Sequence, residues 1–371
     1  MKHLSFEQTL KQKTYTMKKT ILLLMFPLLT NIGFAQHKED AEKLVDEGVA
    51  YHDKGDYEGA ISKYDKALTL DKDNLKALTE KAYSLCASLK YDDAITFCKL
   101  AITAHPGGEY LPSVYVTYGN SLDGLKKTDK SIEIYEEGIK QFPNSYQLHF
   151  NKGITLSSVK KYDDAILSFQ KAVMIKPSHA SSHNGIARLL DAQNKRIPAL
   201  LAYCRFLVIE PQSNRAIENI ASIQKLMKAN VEETGKKSVT INISPDMLGD
   251  TTAGAKPKEN SFNSTDMILS MDAALDFDKK NKKKTEVEQF IRKFETVCAS
   301  LKETRKDNFG FYWDYYVPYF TEMKDKNFVE TFAYIAFASS DDPDVAKWLK
   351  ANKSSIDKFY DWSKNFTWKS N

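Results

Sequence analysis

A unit of 34 residues repeats along the first half of the chain, and this repetition constrains the fold more than any other feature. The hexamer DYEGAI lies at Asp56–Ile61, and KYDDAI occurs at Lys90–Ile95 and again at Lys161–Ile166. The first two hexamers are 34 residues apart, and the second and third are 71 apart, which is two periods plus three inserted residues. A fixed period of about 20 to 50 residues is typical of chains that stack one small structural unit many times.

Five copies fit this period, and the same kinds of residue recur in phase within them. The copies are Ala41–Asn74, Leu75–Gly108, Pro112–Ser145, Tyr146–His179 and Ala180–Ser213. Small residues stand at the eighth position of every copy: Gly48, Ala82, Gly119, Gly153 and Ala187. The twentieth position is also small, the twenty-fourth holds Tyr64, Cys98, Tyr135, Phe169 and Tyr203, and four copies end near a proline.

This pattern resembles the tetratricopeptide repeat family, whose copies have a small eighth residue, then Ala-x-x-x-Phe, then proline. The resemblance covers Ala41–Ser213 and implies two antiparallel helices in each copy. Small residues let the two helices approach closely, and proline ends the second helix because it lacks an N–H. KYDDAI is then the turn between the helices, with its Asp pair at a helix N-terminus, where the helix dipole favours negative charge. The chain is therefore predicted to be an all-α, TPR-type α-α solenoid of about five repeats.

The fifth copy departs from the pattern, because Phe206 replaces the small residue at position 27. We expect it to pack against a different element. A helix over Asn214–Asn230 with an apolar stripe (Ile217, Ile220, Ile223 and Met227) is predicted to cap the solenoid, which spans 41–230 with this helix.

After the cap, the sequence predicts a strand-like segment and linker over 231–265, and then a small, aromatic-rich helical domain over 266–371. The strand is SVTINISP, whose apolar residues alternate, and the polar stretch Gly249–Thr265 is typical of a linker. Thr285 and Glu288 form a capping box. Further helices are expected over Phe328–Ser340 and Pro343–Phe366, and all four tryptophans lie in the last sixty residues.

The N-terminus has the pattern of a secretory signal peptide over residues 1–35, with a start at Met17. Lys18 and Lys19 precede an apolar run that ends at Ala35. Removing this segment takes five Lys and one Glu from totals of 53 and 49, so 48 basic and 48 acidic residues remain. A neutral chain lacks the positive field that nucleic acid requires, and no transmembrane segment is expected after cleavage. The predicted location is outside the cytoplasm, periplasmic or secreted.

No catalytic or cofactor motif is present, and no cofactor or metal is expected. His179 and His183 are four residues apart, a spacing that can place two metal ligands on one helix face, but no third ligand follows at a suitable spacing. Cys86 and Cys98 are interpreted as buried small hydrophobic residues of the second copy, and the disulfide status of these two and of Cys204 and Cys298 is left open.

The resemblance implies a non-catalytic scaffold that binds a protein or peptide along the concave surface formed by the first helices. On this register, positions five and nine of each copy supply the candidate binding residues, which are Val45, Val49, Tyr83, Val116, Asn120, Phe150, Ile154, Asn184 and Arg188. Two alternatives stay open. One is an enzyme or ligand-binding protein with its site in the C-terminal helical domain, and the other is a structural subunit of an envelope complex.

Overall fold

The computed structural model describes residues 36–235, 238–243 and 258–369. The predicted signal peptide and residues 249–257 of the predicted linker Gly249–Thr265 lie outside these residues. The described chain is predominantly helical, with helices α1 to α17 and one short β-hairpin. It divides into two compact units, one ending at Thr155 and the other beginning at Leu156.

The helices of the first unit follow the 34-residue register. Each copy contributes a helix that begins at or near position one and a second that begins at position 17. The bounds are α1 36–52, α2 Tyr57–Leu70, α3 Leu75–Ala87, α4 Tyr91–Ala104, α5 Leu111–Gly124, α6 Thr128–Gln141 and α7 Tyr146–Ser158, within which the unit boundary falls.

The second unit continues the register and then adds the C-terminal helices. Its repeat helices are α8 Tyr162–Ile175, α9 Ala180–Ala192 and α10 Arg196–Ile209, followed by α11 Asn214–Lys228. The remaining elements are β1 Val231–Gly235, β2 Ser238–Ile241, α12 Asn263–Ala274, α13 Glu286–Thr304, α14 Phe311–Asp325, α15 Val329–Ala336, α16 Pro343–Ala351 and α17 Lys353–Asn365. The segment expected as one helix over Pro343–Phe366 is two, because the chain turns at Asn352.

The small eighth residue is required by the aromatic residue at position 24. A Cβ atom at Gly48 would clash with the Tyr64 ring, and one at Gly119 would clash with the Tyr135 ring. Both tyrosines are fully buried between the two helices of their copy. The predicted packing of small against aromatic residues is confirmed.

Every first helix ends in the same left-handed turn, at position 15. This residue has a φ between 57° and 78° in all five copies: Gly55, Leu89, Lys126, Lys160 and Asn194. The next N–H donates back across the turn in each case, as from Lys90 N to the Leu85 carbonyl at 2.9 Å. This bond closes a Schellman-type helix end. The Asp pairs of KYDDAI lie in the first turn of α4 and α8, where they make no side-chain capping bond.

The strand predicted from SVTINISP has a partner in the segment directly before it. β1 and β2 form an antiparallel hairpin in which Val231 lies opposite Ile241. The first strand has the sequence VEETG, which shows no apolar alternation, and it was not expected.

Helix α10 is the most enclosed element of the second unit. All thirteen of its residues from Arg196 to Val208 are buried. It contacts α9 and α11 and also α12, α14 and α15 from the C-terminal region. Phe206 is fully buried and lies beneath the Arg215 guanidinium of α11, 5.3 Å from the ring centroid. The expected cap therefore exists, with Ile220, Ile223 and Met227 buried; Ile217, which was placed in the same stripe, is exposed.

Candidate functional site

The candidate binding residues separate by their position in the repeat. In the first unit, those at position nine are Val49, Tyr83, Asn120 and Ile154, which we call the position-nine face. Tyr83 is 51% exposed and Ile154 is 47% exposed, although both are large apolar side chains. Val49 and Asn120 are partly buried.

Position five is mostly directed into the core. Val45 is fully buried in a cluster with Ala41, Tyr64 and Ala77, so its assignment as a ligand-facing residue is wrong. Val116 packs against the neighbouring core cluster and keeps part of its surface exposed. Phe150 is also partly buried. The physical reason is that position five lies one helical turn before the small eighth residue and shares the side that the second helix covers.

Tyr83 has a neighbour that the candidate set omitted. The His52 ring stacks on it with centroids 4.6 Å apart and planes 24° apart, and it meets Tyr57 edge-on. The His52 Nδ1 atom is 2.7 Å from the Ser84 hydroxyl, and partial burial lowers the pKa of His52. His52 occupies position twelve of the first copy, three residues after position nine and so on the same side of its helix. The repeat register could therefore have identified it.

Asn120 is held from within its own copy. The buried Tyr135 hydroxyl donates to Asn120 Oδ1 at 2.7 Å. This bond directs Oδ1 of Asn120 toward Tyr135, so the amino group of the carboxamide points away from that ring.

The two candidates in the second unit differ in the same way as those in the first. Asn184, at position five, is buried, while Arg188, at position nine, is exposed. An exposed arginine is available to an acidic partner, whereas the buried Asn184 is not.

The C-terminal helix α14 lies against the last repeats of the second unit through a row of tyrosines. The Tyr312 hydroxyl accepts from Gln170 Nε2 at 3.1 Å, and the Tyr315 hydroxyl donates to the Val173 carbonyl at 2.8 Å. The Tyr316 hydroxyl lies 2.7 Å from His183 Nδ1. In these three contacts, each tyrosine hydroxyl of α14 is hydrogen-bonded to a polar group of the repeats.

His183 is a packing residue of this interface. Its Nε2–H donates to the Pro177 carbonyl at 3.0 Å, which leaves Nδ1 to accept from Tyr316. Burial and the nearby Arg205 guanidinium lower the pKa of His183 to about 3, so its ring is neutral. His179 instead lies 2.7 Å from Ser182 through Nδ1. Within the described parts of the chain, no group of three His, Cys, Asp or Glu residues could hold a metal ion.

Arg205 carries the second contact between repeat and C-terminal region. Its guanidinium lies 4.8 Å from the Tyr319 ring centroid and 4.6 Å from that of Trp368. It also donates to the Ser363 hydroxyl at 3.2 Å and to the Pro177 carbonyl at 3.3 Å. A buried cation between two aromatic faces ties α10 to the last residues of the chain.

All four cysteines are free thiols. Cys98, Cys204 and Cys298 are buried, and burial raises the pKa of each of these thiols. Such thiols are unreactive as nucleophiles. Among the described helices, none is both long enough and apolar enough to span a membrane.

Comparison with known protein families places the repeats. A family description reading "TPR repeat" matches residues 48–85, and one reading "Tetratricopeptide repeat" matches 112–145 and 146–179. The last two matches have the same bounds as the third and fourth copies. Residues 48–85 and 112–179 are therefore tetratricopeptide repeats, a repeat type that serves as a scaffold for protein–protein interaction.

Solved structures with similar folds match about half of the chain. The MamA protein is 22% identical, with 46% of this chain and 92% of that chain covered and a TM-score of 0.38. PilF of Pseudomonas aeruginosa is 19% identical, with 52% and 90% covered and a TM-score of 0.42. YrrB, described as a TPR protein with an unusual peptide-binding site, is 21% identical, with 51% and 95% covered and a TM-score of 0.36. No curated protein sequence matches.

Proposed function

We propose that this chain is a non-catalytic scaffold of the cell envelope that binds an extended peptide or amphipathic helix of a partner protein on the position-nine face. The observation that supports it is the exposure of Tyr83 and Ile154 at one repeated address. Large apolar side chains exposed at the same position of two repeats, here the second and the fourth, are typical of a protein-binding surface. The stacked His52 and the oriented Asn120 add polar groups beside them, which suits a peptide with apolar anchors and a hydrogen-bonding backbone.

A peptide selection tests this assignment. A phage-displayed library of random dodecapeptides is selected on the full chain, and the best peptide is synthesised and titrated by calorimetry. The double variant Tyr83→Ala, Ile154→Asp removes both exposed anchors and should weaken binding by roughly tenfold or more, as expected for interface anchors. Leu100→Asp is the matched control, because Leu100 is 49% exposed but lies on the second helix α4.

Equal affinity of the wild type and a folded double variant for the selected peptide would place the interface elsewhere. If Leu100→Asp alone abolished binding, the outer, second-helix surface would be the interface. That result would favour the structural-subunit alternative.

Export is part of the same proposal. The signal-like sequence of residues 1–35 supports it, and the mature chain should begin near Gln36. N-terminal sequencing of the protein from a cell-envelope fraction checks this. Recovery of the intact first 35 residues on cytoplasmic protein would contradict it.

We further propose that residues 41–230 form one domain, the repeats with their capping helix. Residues 266–371 form a second, helical domain, and the segment 231–265 connects the two. Limited proteolysis should cut first between Gly249 and Thr265. Because α10 contacts α12, α14 and α15, the two fragments should co-elute on size exclusion after cleavage. Rapid degradation of either fragment would show that it needs the uncut chain.

A further inference from the structure

The second unit contains an open pocket of about 360 Å³ that none of the functions above uses. It lies where the start of α13, the middle of α15 and the helix α16 meet. Its floor is apolar, with Val287 and Val345 both buried. Its size is that of a single side chain or a small ligand.

One wall of the pocket is an aromatic pair. The rings of Tyr334 and Trp348 stack with centroids 4.2 Å apart and planes 3° apart, and both are partly exposed. Among the described residues, neither the Tyr334 hydroxyl nor the Trp348 indole N–H has a hydrogen-bond partner. Two parallel rings stacked in this way present a fixed π-face, which attracts cations.

The rim of the pocket is acidic. Glu288, Asp342 and Asp344 line it with a single base, Lys347. Burial is the largest cause of the raised pKa of Tyr334, and the charges of Glu330 and of these three carboxylates raise it further. The negative field therefore reaches the aromatic wall.

Two of the three carboxylates are held in place by backbone groups. Glu288 accepts from Thr285 N at 2.8 Å in the capping box, and Asp342 accepts from Asp344 N at 2.9 Å at the start of α16. In the described part of the chain, none of Glu288, Asp342 and Asp344 is in an ion pair. Carboxylates beside an aromatic face, three to the one base Lys347 and not ion-paired with it, match a cationic ligand.

We propose that this pocket binds the guanidinium or ammonium group of a basic side chain from a partner polypeptide. The cation would lie against the Tyr334–Trp348 wall with its N–H groups directed to the carboxylates of the rim. A planar guanidinium satisfies both requirements better than an ammonium, so arginine is preferred over lysine. This site is separate from the position-nine face and does not depend on it.

The experiment uses the full chain labelled with 5-fluorotryptophan, whose four tryptophans give four ¹⁹F signals. The Trp348 signal is assigned with the variant Trp348→Phe. N-acetyl-arginine amide is titrated, with N-acetyl-citrulline amide as its neutral isostere. We expect a saturable shift of the Trp348 signal with the arginine probe and none with citrulline. The arginine affinity should fall as salt is raised from 50 to 500 mM, because exposed charges are screened.

Two substitutions that remove negative charge from the rim then test its role in binding. The double variant Glu288→Gln, Asp344→Asn should weaken arginine binding by roughly tenfold, while Gln at 288 can keep the capping box. Glu303→Gln, an exposed acid on the same helix α13, is the matched control and should leave the affinity unchanged.

Three outcomes would overturn the proposal. Equal shifts with arginine and citrulline would show that charge is not recognised. A saturable shift with glucose or N-acetylglucosamine and none with arginine would make the pocket a sugar site. Binding of the free amide but not of the peptide acetyl-Gly-Ser-Arg-Ser-Gly-amide would make the ligand a small free cation, whereas peptide binding of equal or greater strength supports the polypeptide source.

Discussion

Helices α4 and α10 occupy the same place in their repeats, since each is the second helix of its copy, but their surroundings differ. α4 buries a single stripe of Ala94, Ile95, Cys98 and Ala101, whereas α10 is buried around nearly its whole circumference. The sequences differ accordingly. α4 reads YDDAITFCKLAITA, with polar residues on one side, and α10 reads RIPALLAYCRFLVI.

The difference shows that one repeat motif can serve two purposes in one chain. A helix that is apolar on all sides is a buried helix. The fifth copy keeps the spacing of the family but has exchanged its polar outer face for one that the C-terminal helices cover. In the first unit, by contrast, position nine keeps Tyr83 and Ile154 exposed.

The largest expected effect comes from Phe206, which stands where α4 has Ala101. Phe206→Ala should lower the free energy of unfolding of the second unit by about 3 to 5 kcal/mol, because it leaves a cavity in a closed core. All four tryptophans lie between Trp313 and Trp368, so tryptophan fluorescence in denaturant follows this unit alone.

Leu100→Ala on α4 is the comparison and should change stability by no more than about 0.5 kcal/mol, since the side chain is half exposed. If Phe206→Ala were equally mild, α10 would not be the closed element that distinguishes the fifth copy.

The second prediction is a pH dependence specific to the covered repeat. The pKa of His183 falls from 6.5 to about 3 on folding, so between these values the unfolded chain binds a proton that the folded chain does not. The folded state therefore loses stability as the pH falls below about 6.5, by up to about 1.4 kcal/mol per pH unit from this group.

His183→Gln removes the titrating group, and the free energy of unfolding should then depend less steeply on pH between 6.5 and 4. Denaturant titrations followed by tryptophan fluorescence at several pH values measure both slopes. An unchanged slope in the variant would show that His183 is not buried as a neutral ring.

The third prediction concerns the hydroxyl that His183 meets. Tyr316→Phe should lower the free energy of unfolding by about 1 to 2 kcal/mol, because His183 Nδ1 would be buried without a donor. Tyr83→Phe is the control in the open repeats, where the ring is exposed and a change within about 0.5 kcal/mol is expected. Equal effects would argue that the row of tyrosine contacts contributes nothing specific.

The smallest effect is expected at the turn that all copies share. Leu89 has a φ of 64°, so its backbone is strained, and its side chain is 69% exposed, so it packs against little that could offset the strain. Leu89→Gly should raise the free energy of unfolding of the first unit by about 1 kcal/mol. Asn194→Gly, at the same address in the fifth copy, should gain less because Asn tolerates this conformation.

Circular dichroism detects the transition of the first unit, which contains no tryptophan. A loss of stability in Leu89→Gly would mean that the exposed leucine side chain makes a contact that outweighs the strain.

The repeated part of the fold could be predicted from the sequence because its signals are local and recur. The 34-residue register predicted where the helices begin, and Gly48 and Gly119 pack against aromatic rings as expected. The burial of position five could not be predicted in this way. Val45 would be exposed on an isolated helix and is covered only when the second helix packs against it. The hairpin partner VEETG has no apolar alternation, because most of that strand is exposed.

The packing partners of α10 could be predicted from the sequence only in part. Phe206 pointed to an unusual neighbour, but the neighbour expected was α11 alone. The contribution of α14 depends on pairs such as Tyr316 and His183, which are 133 residues apart. No local pattern connects residues at such a distance, so this part of the site needed the three-dimensional structure.

The buried thiols can be used to measure local opening of the folded protein. Cys98 is enclosed in the first unit, and Cys204 and Cys298 are enclosed in the second. A thiol reagent can reach each of them only when its surroundings open, so the rate of labelling at each cysteine measures how often that unit opens under native conditions. Mass spectrometry of the labelled peptides can then time the opening of the two units separately, in one sample and without any denaturant.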